Sequence, residues 1–172
     1  MTDKTLTTWE DYVIWTQETA RYPESGLGTP AALNYAVLEL ATESVELSLA
    51  GTSPAAILDE TGDVAWALAR CFIESKTSRR LPWVRDGQFP SLYWANRAVG
   101  KVKTAQRRGA LAASLQEPAW CSHFASLLTA TFAGMEALVR VHGLTMEDVC
   151  GQNKLKLLDR LAQGTLNERP PT

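Results

Sequence analysis

Between Leu38 and Leu68, two stretches of helical period, each carrying a pair of acids three residues apart, are separated only by Gly51, Thr52 and Ser53. A connection that short makes two helices fold back on each other, antiparallel and in contact. At 100° per residue, Glu39, Glu43 and Glu46 fall within ~60° of one another on a single stripe. Leu38, Val45 and Leu49 run along one side of that stripe and Leu40 and Leu47 along the other, with the small residues Ala41, Ser44 and Ser48 behind. On the following segment Glu60 and Asp63 share a face edged by Ile57, Val64 and Leu68. Counting outward from the turn at ~1.5 Å per residue sets Glu46 within ~3 Å of the level of Glu60, and Glu43 likewise with Asp63. Four carboxylates, Glu43, Glu46, Glu60 and Asp63, are expected to converge across one interface.

A solvated acidic face carries polar neighbours and interleaved lysines, whereas these acids stand between apolar seams. No counter-charge is close in sequence: from Tyr22 to Ala69 there are seven acids (Glu24, Glu39, Glu43, Glu46, Asp59, Glu60, Asp63) and no Lys or Arg. Carboxylates partly withdrawn from water and left unpaired are costly. Either their pKa values rise or a hard cation gathers the oxygens. A donor set made only of oxygen favours magnesium or manganese over zinc, which selects His and Cys.

The remainder of the chain is also helical in pattern, with no convincing β alternation. A first helix is expected from Thr8 to Ala20, with Thr8 as its cap, followed by a turn-rich stretch from Pro23 to Pro30. The acidic helices are expected at 31–50 and, with Ser53 as cap and Pro54 in first position, at 54–74. Pro82, Gly87 and Pro90 break any period in residues 76–90, which reads as an irregular basic loop. Helices are expected at about 91–108, at 119–141, which is apolar enough to need burial, and from Thr145 to near Gly164, where Thr145 and Asp148 make a capping-box start. The tail from Thr165 to Thr172 is polar.

Charge divides the chain further. From Lys76 to Arg108 nine bases (Lys76, Arg79, Arg80, Arg85, Arg97, Lys101, Lys103, Arg107, Arg108) face one acid, Asp86, although the net charge of all 172 residues is only −2. A solvated arm, a lid over polyphosphate and a nucleic-acid contact, in that order, are the readings of this segment, and Trp83 and Trp94 within it could stack on bases. The 45% apolar content is that of a folded protein. No run of 18 apolar residues predicts a membrane span, and MTDKTLTTWEDY lacks the basic-then-apolar pattern of a secretory signal. Cys71, Cys121 and Cys150 are odd in number and scattered, consistent with reduced thiols in a cytoplasmic protein. His123 and His142 have no second ligand at metal spacing, and neither GxxxxGK[ST] nor HExxH occurs.

Glu43-x-x-Glu46 followed after thirteen residues by Glu60-x-x-Asp63 resembles the ExxE…ExxD signature of the MazG-like, all-α nucleoside triphosphate pyrophosphohydrolases. TARYP at 19–23 ahead of LNYAVLELATESVEL, and DETGDVAWALA at 59–69 with its Gly62 and Trp66, are similar to the lead-in and second acidic helix of that family. Asn153-x-x-Lys156-Leu157-x-x-Arg160, with Gly164 beyond, is similar to its closing helix, and the three polar residues share one face. The likeness covers residues 8–75 and about 125–165; it departs at Glu39, where a glycine is common, and at 76–124, a basic insertion the family does not explain.

The resemblance implies a single all-α helical bundle over 1–172 that hydrolyses a nucleoside triphosphate to monophosphate and pyrophosphate. Glu43, Glu46, Glu60 and Asp63 would hold magnesium, or manganese, and serve catalysis, with Glu46 a candidate to orient the water. Asn153, Lys156 and Arg160 would bind substrate. A homodimer or homotetramer is implied; no membrane partner is expected, and nucleic acid ranks last among the partners of the basic segment. Two alternatives stand beside this: a non-catalytic helical module that binds nucleic acid through residues 76–108, and a hydrolase for one deoxynucleotide, akin to the dUTP and dCTP hydrolases.

Overall fold

The computed structural model describes residues 7–77 and 90–166, and every regular element among them is helical. In chain order these are α1 (Trp9–Trp15), which tightens into a 3₁₀ turn (Thr16–Glu18), α2 (Pro30–Leu49), α3 (Pro54–Glu74), α4 (Ser91–Arg107), the single turn α5 (Leu111–Ser114), α6 (Pro118–Val141) and α7 (Met146–Ala162). Trp83 and the arginines 79, 80 and 85 of the expected basic loop lie outside the described residues, as does the tail beyond Leu166.

The boundaries follow local chemistry. Pro30, Pro54 and Pro118 open their helices, where a missing N–H leaves no bond unmade. Thr8 accepts from the Asp11 amide at 3.2 Å, and Thr145 and Asp148 close both halves of their capping box at 3.0 and 3.1 Å. Ser53 occupies the cap position of α3, but its side chain makes no capping bond. Gly51, at φ +72°, takes the left-handed conformation that reverses the chain between α2 and α3 at no Cβ cost.

Helix α3 is the axle of the bundle, packing on α1, α2, α6 and α7, while α2 and α6 both hold α4. Every residue of α3 from Ala67 to Glu74 is buried, so the last two turns of the helix are enclosed on every side. Helix α4 contributes Ala95, Ala98, Val102 and Ala105 to the same apolar core and keeps its cations outside it. The basic segment is thus packed into the bundle at least from Ser91 onward. Cys71 and Cys150 are buried and Cys121 half-buried, all three as free thiols.

Two sequence expectations need correction. The acid stripe of α2 has only one buried seam: Leu40 and Leu47 are buried against the bundle, but Leu38, Val45 and Leu49 are 65%, 48% and 77% exposed. The reason is geometric, since α2 turns its Ala36–Leu40–Ser44–Leu47 side to the core and its opposite seam lies outside a single chain's interior. Second, α6 is long and apolar enough to cross a membrane by length and composition, which counting consecutive apolar residues did not reveal. Within the fold α6 buries Phe124, Leu127, Leu128, Met135 and Val139 against its neighbours.

Candidate metal and phosphate site

The hairpin brings Glu43 of α2 and Glu60 and Asp63 of α3 together, each offering one carboxylate oxygen within 4.8 Å of the others. All three are half-buried. Glu46 lies one turn nearer the Gly51 reversal, is exposed, and is not among the three; its charge nonetheless reaches Glu60. Three of the four expected carboxylates therefore converge and the fourth stands at the margin. Burial raises the Glu60 carboxyl above the ordinary value, and the negative charges of Asp63, Asp59 and Glu46 add to this, offset in part by Lys156.

Helix α7 supplies what the acidic stretch lacks. Lys156 Nζ lies 2.7 Å from Asp63 Oδ2 and 2.8 Å from Asp59 Oδ1. Burial works against its ammonium, but the Asp63 charge and the bonds to Asp59 and Asp63 outweigh that and raise it above an ordinary lysine. Asn153, almost fully buried, donates from Nδ2 to Asp63 Oδ1 at 2.9 Å, while its Oδ1 accepts from the Tyr12 hydroxyl at 2.6 Å. The close approach of α7 to α3 depends on Gly62, where a Cβ would stand 2.8 Å from Asn153 Cβ. Asn153 and Lys156 therefore both meet Asp63, and Arg160, one turn further, lines a neighbouring cleft.

That cleft, of about 410 Å³, is lined by Glu43 and Asp63 and also by Arg21, Arg160, Tyr35 and Trp66. Tyr35 stacks on Tyr22 with ring centroids 4.3 Å apart and planes 14° from parallel. Trp66, packed against the edge of the core, is half-buried and donates from Nε1 to Thr19 Oγ1 at 2.9 Å. Behind this wall lies an ion pair with no exposure at either end, Arg70 Nη2 to Glu74 Oε1 at 2.8 Å. Glu74 also accepts from Tyr22 Oη at 2.6 Å and from the amides of Gly26 and Gly28 at 2.7 and 3.1 Å, and Arg70 reaches Ser25 at 2.9 Å. The loop after Tyr22, itself a lining residue of the cleft, is thereby tied to α3.

Tyr12, Asp59, Arg70 and Glu74 were not among the sequence candidates. Asp59 stands four residues before Asp63 on the same helical face, and Arg70 and Glu74 form an i, i+4 pair in an otherwise apolar stretch, signals that spacing alone could have raised. Tyr12 had no such signal, because its role depends on α1 lying against α7.

No protein-family model, curated protein or solved structure matches this chain.

Proposed function

We propose that this chain is a magnesium-dependent nucleoside triphosphate pyrophosphohydrolase with a MazG-like all-α fold, converting a (deoxy)nucleoside triphosphate to monophosphate and pyrophosphate. The reading rests on one observation: Glu43, Glu60 and Asp63 gather within 4.8 Å beside a cleft that carries Arg160. The donor chemistry suits the ion, since carboxylate oxygens without His or Cys fit magnesium or manganese. Bound there, the ion would neutralise polyphosphate and lower the pKa of a water.

The chain's own groups have separable tasks. Lys156 and Arg160 pair with phosphate oxygens as charge builds on the leaving pyrophosphate. Asn153 keeps the Asp63 carboxylate oriented. Glu46, exposed at the margin, accepts a proton from the attacking water. Tyr35, 40% exposed over Tyr22, gives the cleft a flat apolar wall suited to a base. The exposed seam Leu38, Val45 and Leu49 beside the acids belongs in this reading to a homodimer or homotetramer contact.

The test is a panel of ribo- and deoxyribonucleoside triphosphates incubated with the protein and magnesium, with monophosphate and pyrophosphate both quantified. Equimolar release of the two products, lost in Glu43→Gln with the thermal melt retained, is the expected result. Turnover of dUTP or dCTP alone would select the deoxynucleotide-specific enzyme. Failure to release pyrophosphate from any member overturns the assignment.

A further inference from the structure

A second concavity, of about 520 Å³, lies between α4 and α6 and shares no lining residue with the acidic cleft. From Arg97 to Arg108 the chain carries five cations (Arg97, Lys101, Lys103, Arg107, Arg108) and no acid. Arg97, Lys101 and Arg108 lie within ~40° of one another around α4 and extend over ~16 Å of its length. All three line the groove, and Glu117 is the one acid that does so. A solvated basic face would be interleaved with acids at i, i+4; among the described residues no ion pair engages any of these three cations.

The opposite wall belongs to α6. Lys101 Nζ sits 4.9 Å above the centre of the Trp120 ring and 3.3 Å from His123 Nδ1. Partial burial draws the Lys101 amine below the ordinary lysine value, with Glu117 and Cys121 acting in the other direction.

The Cα atoms of Arg97 and Arg108 stand ~16 Å apart along α4, a spacing that suits a ligand whose negative charge repeats along its length. We infer that the α4–α6 groove binds the backbone of a nucleic-acid strand, with phosphates on Arg97, Lys101 and Arg108.

The experiment is fluorescence anisotropy of a labelled oligothymidylate titrated with the full chain in EDTA, which keeps divalent metal away from the acidic cleft. Three neutralised phosphates predict an affinity that falls roughly twentyfold between about 50 and about 200 mM salt. Arg97→Glu combined with Arg108→Glu should weaken binding by at least about tenfold at the lower salt with an unchanged thermal melt, whereas Glu43→Gln should leave it intact. The last comparison separates this site from the proposed hydrolase site. Absence of binding at the lower salt, equal binding by the charge-reversed variant, or displacement of the oligonucleotide by equimolar inorganic tripolyphosphate would overturn the inference.

Discussion

Asn153 holds Asp63 through a 2.9 Å bond from its Nδ2, and Tyr12 holds Asn153 through a 2.6 Å bond to its Oδ1. Donor and acceptor ends of the amide are thus both used, which fixes its orientation and links α1, α7 and α3 at one carboxylate. Replacing Asn153 by Asp removes the donor and sets a buried acid against Asp63. Thermal melts in the absence of metal should show a loss of about 2 kcal/mol, or ~4–8 °C in Tm. Tyr12→Phe, which only frees the amide to rotate, should cost about half as much.

Gly62 makes that contact reachable. Its backbone is helical, so alanine would ordinarily be favoured there by ~1 kcal/mol. A Cβ would however meet Asn153 Cβ at 2.8 Å and Nδ2 at 2.9 Å, atoms of a buried side chain pinned at both ends. Gly62→Ala should therefore destabilise by about 1–3 kcal/mol and weaken magnesium uptake, measured by calorimetry. A variant as stable as the parent would show that α7 yields without loss.

The meeting of Glu43, Glu60 and Asp63 was legible because the turn of Gly51 to Ser53 makes the two helices antiparallel neighbours and helical phase then sets which side chains meet, whereas Glu46, expected with them, stands outside the group. The span of α3, 54–74, was legible for the same kind of reason, with Pro54 at its start. What phase cannot reveal is which seam of a stripe is covered. Leu38, Val45 and Leu49 have the same periodicity as Leu40 and Leu47, yet only the latter pair faces the bundle. Nor could local sequence supply the counter-charge at Asp63: Lys156 arrives from 93 residues away, so a stretch without bases is not a site without them. The short helix Leu111–Ser114 was not anticipated, since four residues are too few to carry a periodic signal.

The buried pair Arg70–Glu74 makes a prediction independent of any catalytic reading. Glu74 accepts from two loop amides and from Tyr22 as well as from Arg70, so Glu74→Ala strands a fully buried guanidinium and releases the loop together. Breaking such a pair costs about 3–5 kcal/mol, a fall in Tm of ~6–20 °C. Hydrogen exchange should accelerate at the amides of Gly26 and Gly28 well before the rest of the bundle responds. Equal protection of those amides in the variant would mean the loop is held by other means.

Glu60 offers a pH-dependent test of the metal site. Its folded carboxyl titrates above the ordinary 4.5, first because it is partly buried and then because Asp63, Asp59 and Glu46 are near. The folded protein therefore binds this proton more readily than the unfolded chain does, so its stabilising share is complete below the ordinary value and is lost as pH rises through the folded value. Without divalent metal, the parent should consequently lose stability as pH climbs from about 4.5 toward neutrality relative to Glu60→Gln, whose neutral amide has nothing to titrate. The variant should melt no more than ~2 °C above the parent at neutral pH, a small margin because the group is partly solvated. Magnesium should reverse the order, raising the parent's Tm at neutral pH and doing much less near pH ~4.5 or in Glu60→Gln. An equal rise in parent and variant would place the cation away from Glu60 and dissolve the case for a metal held between α2 and α3.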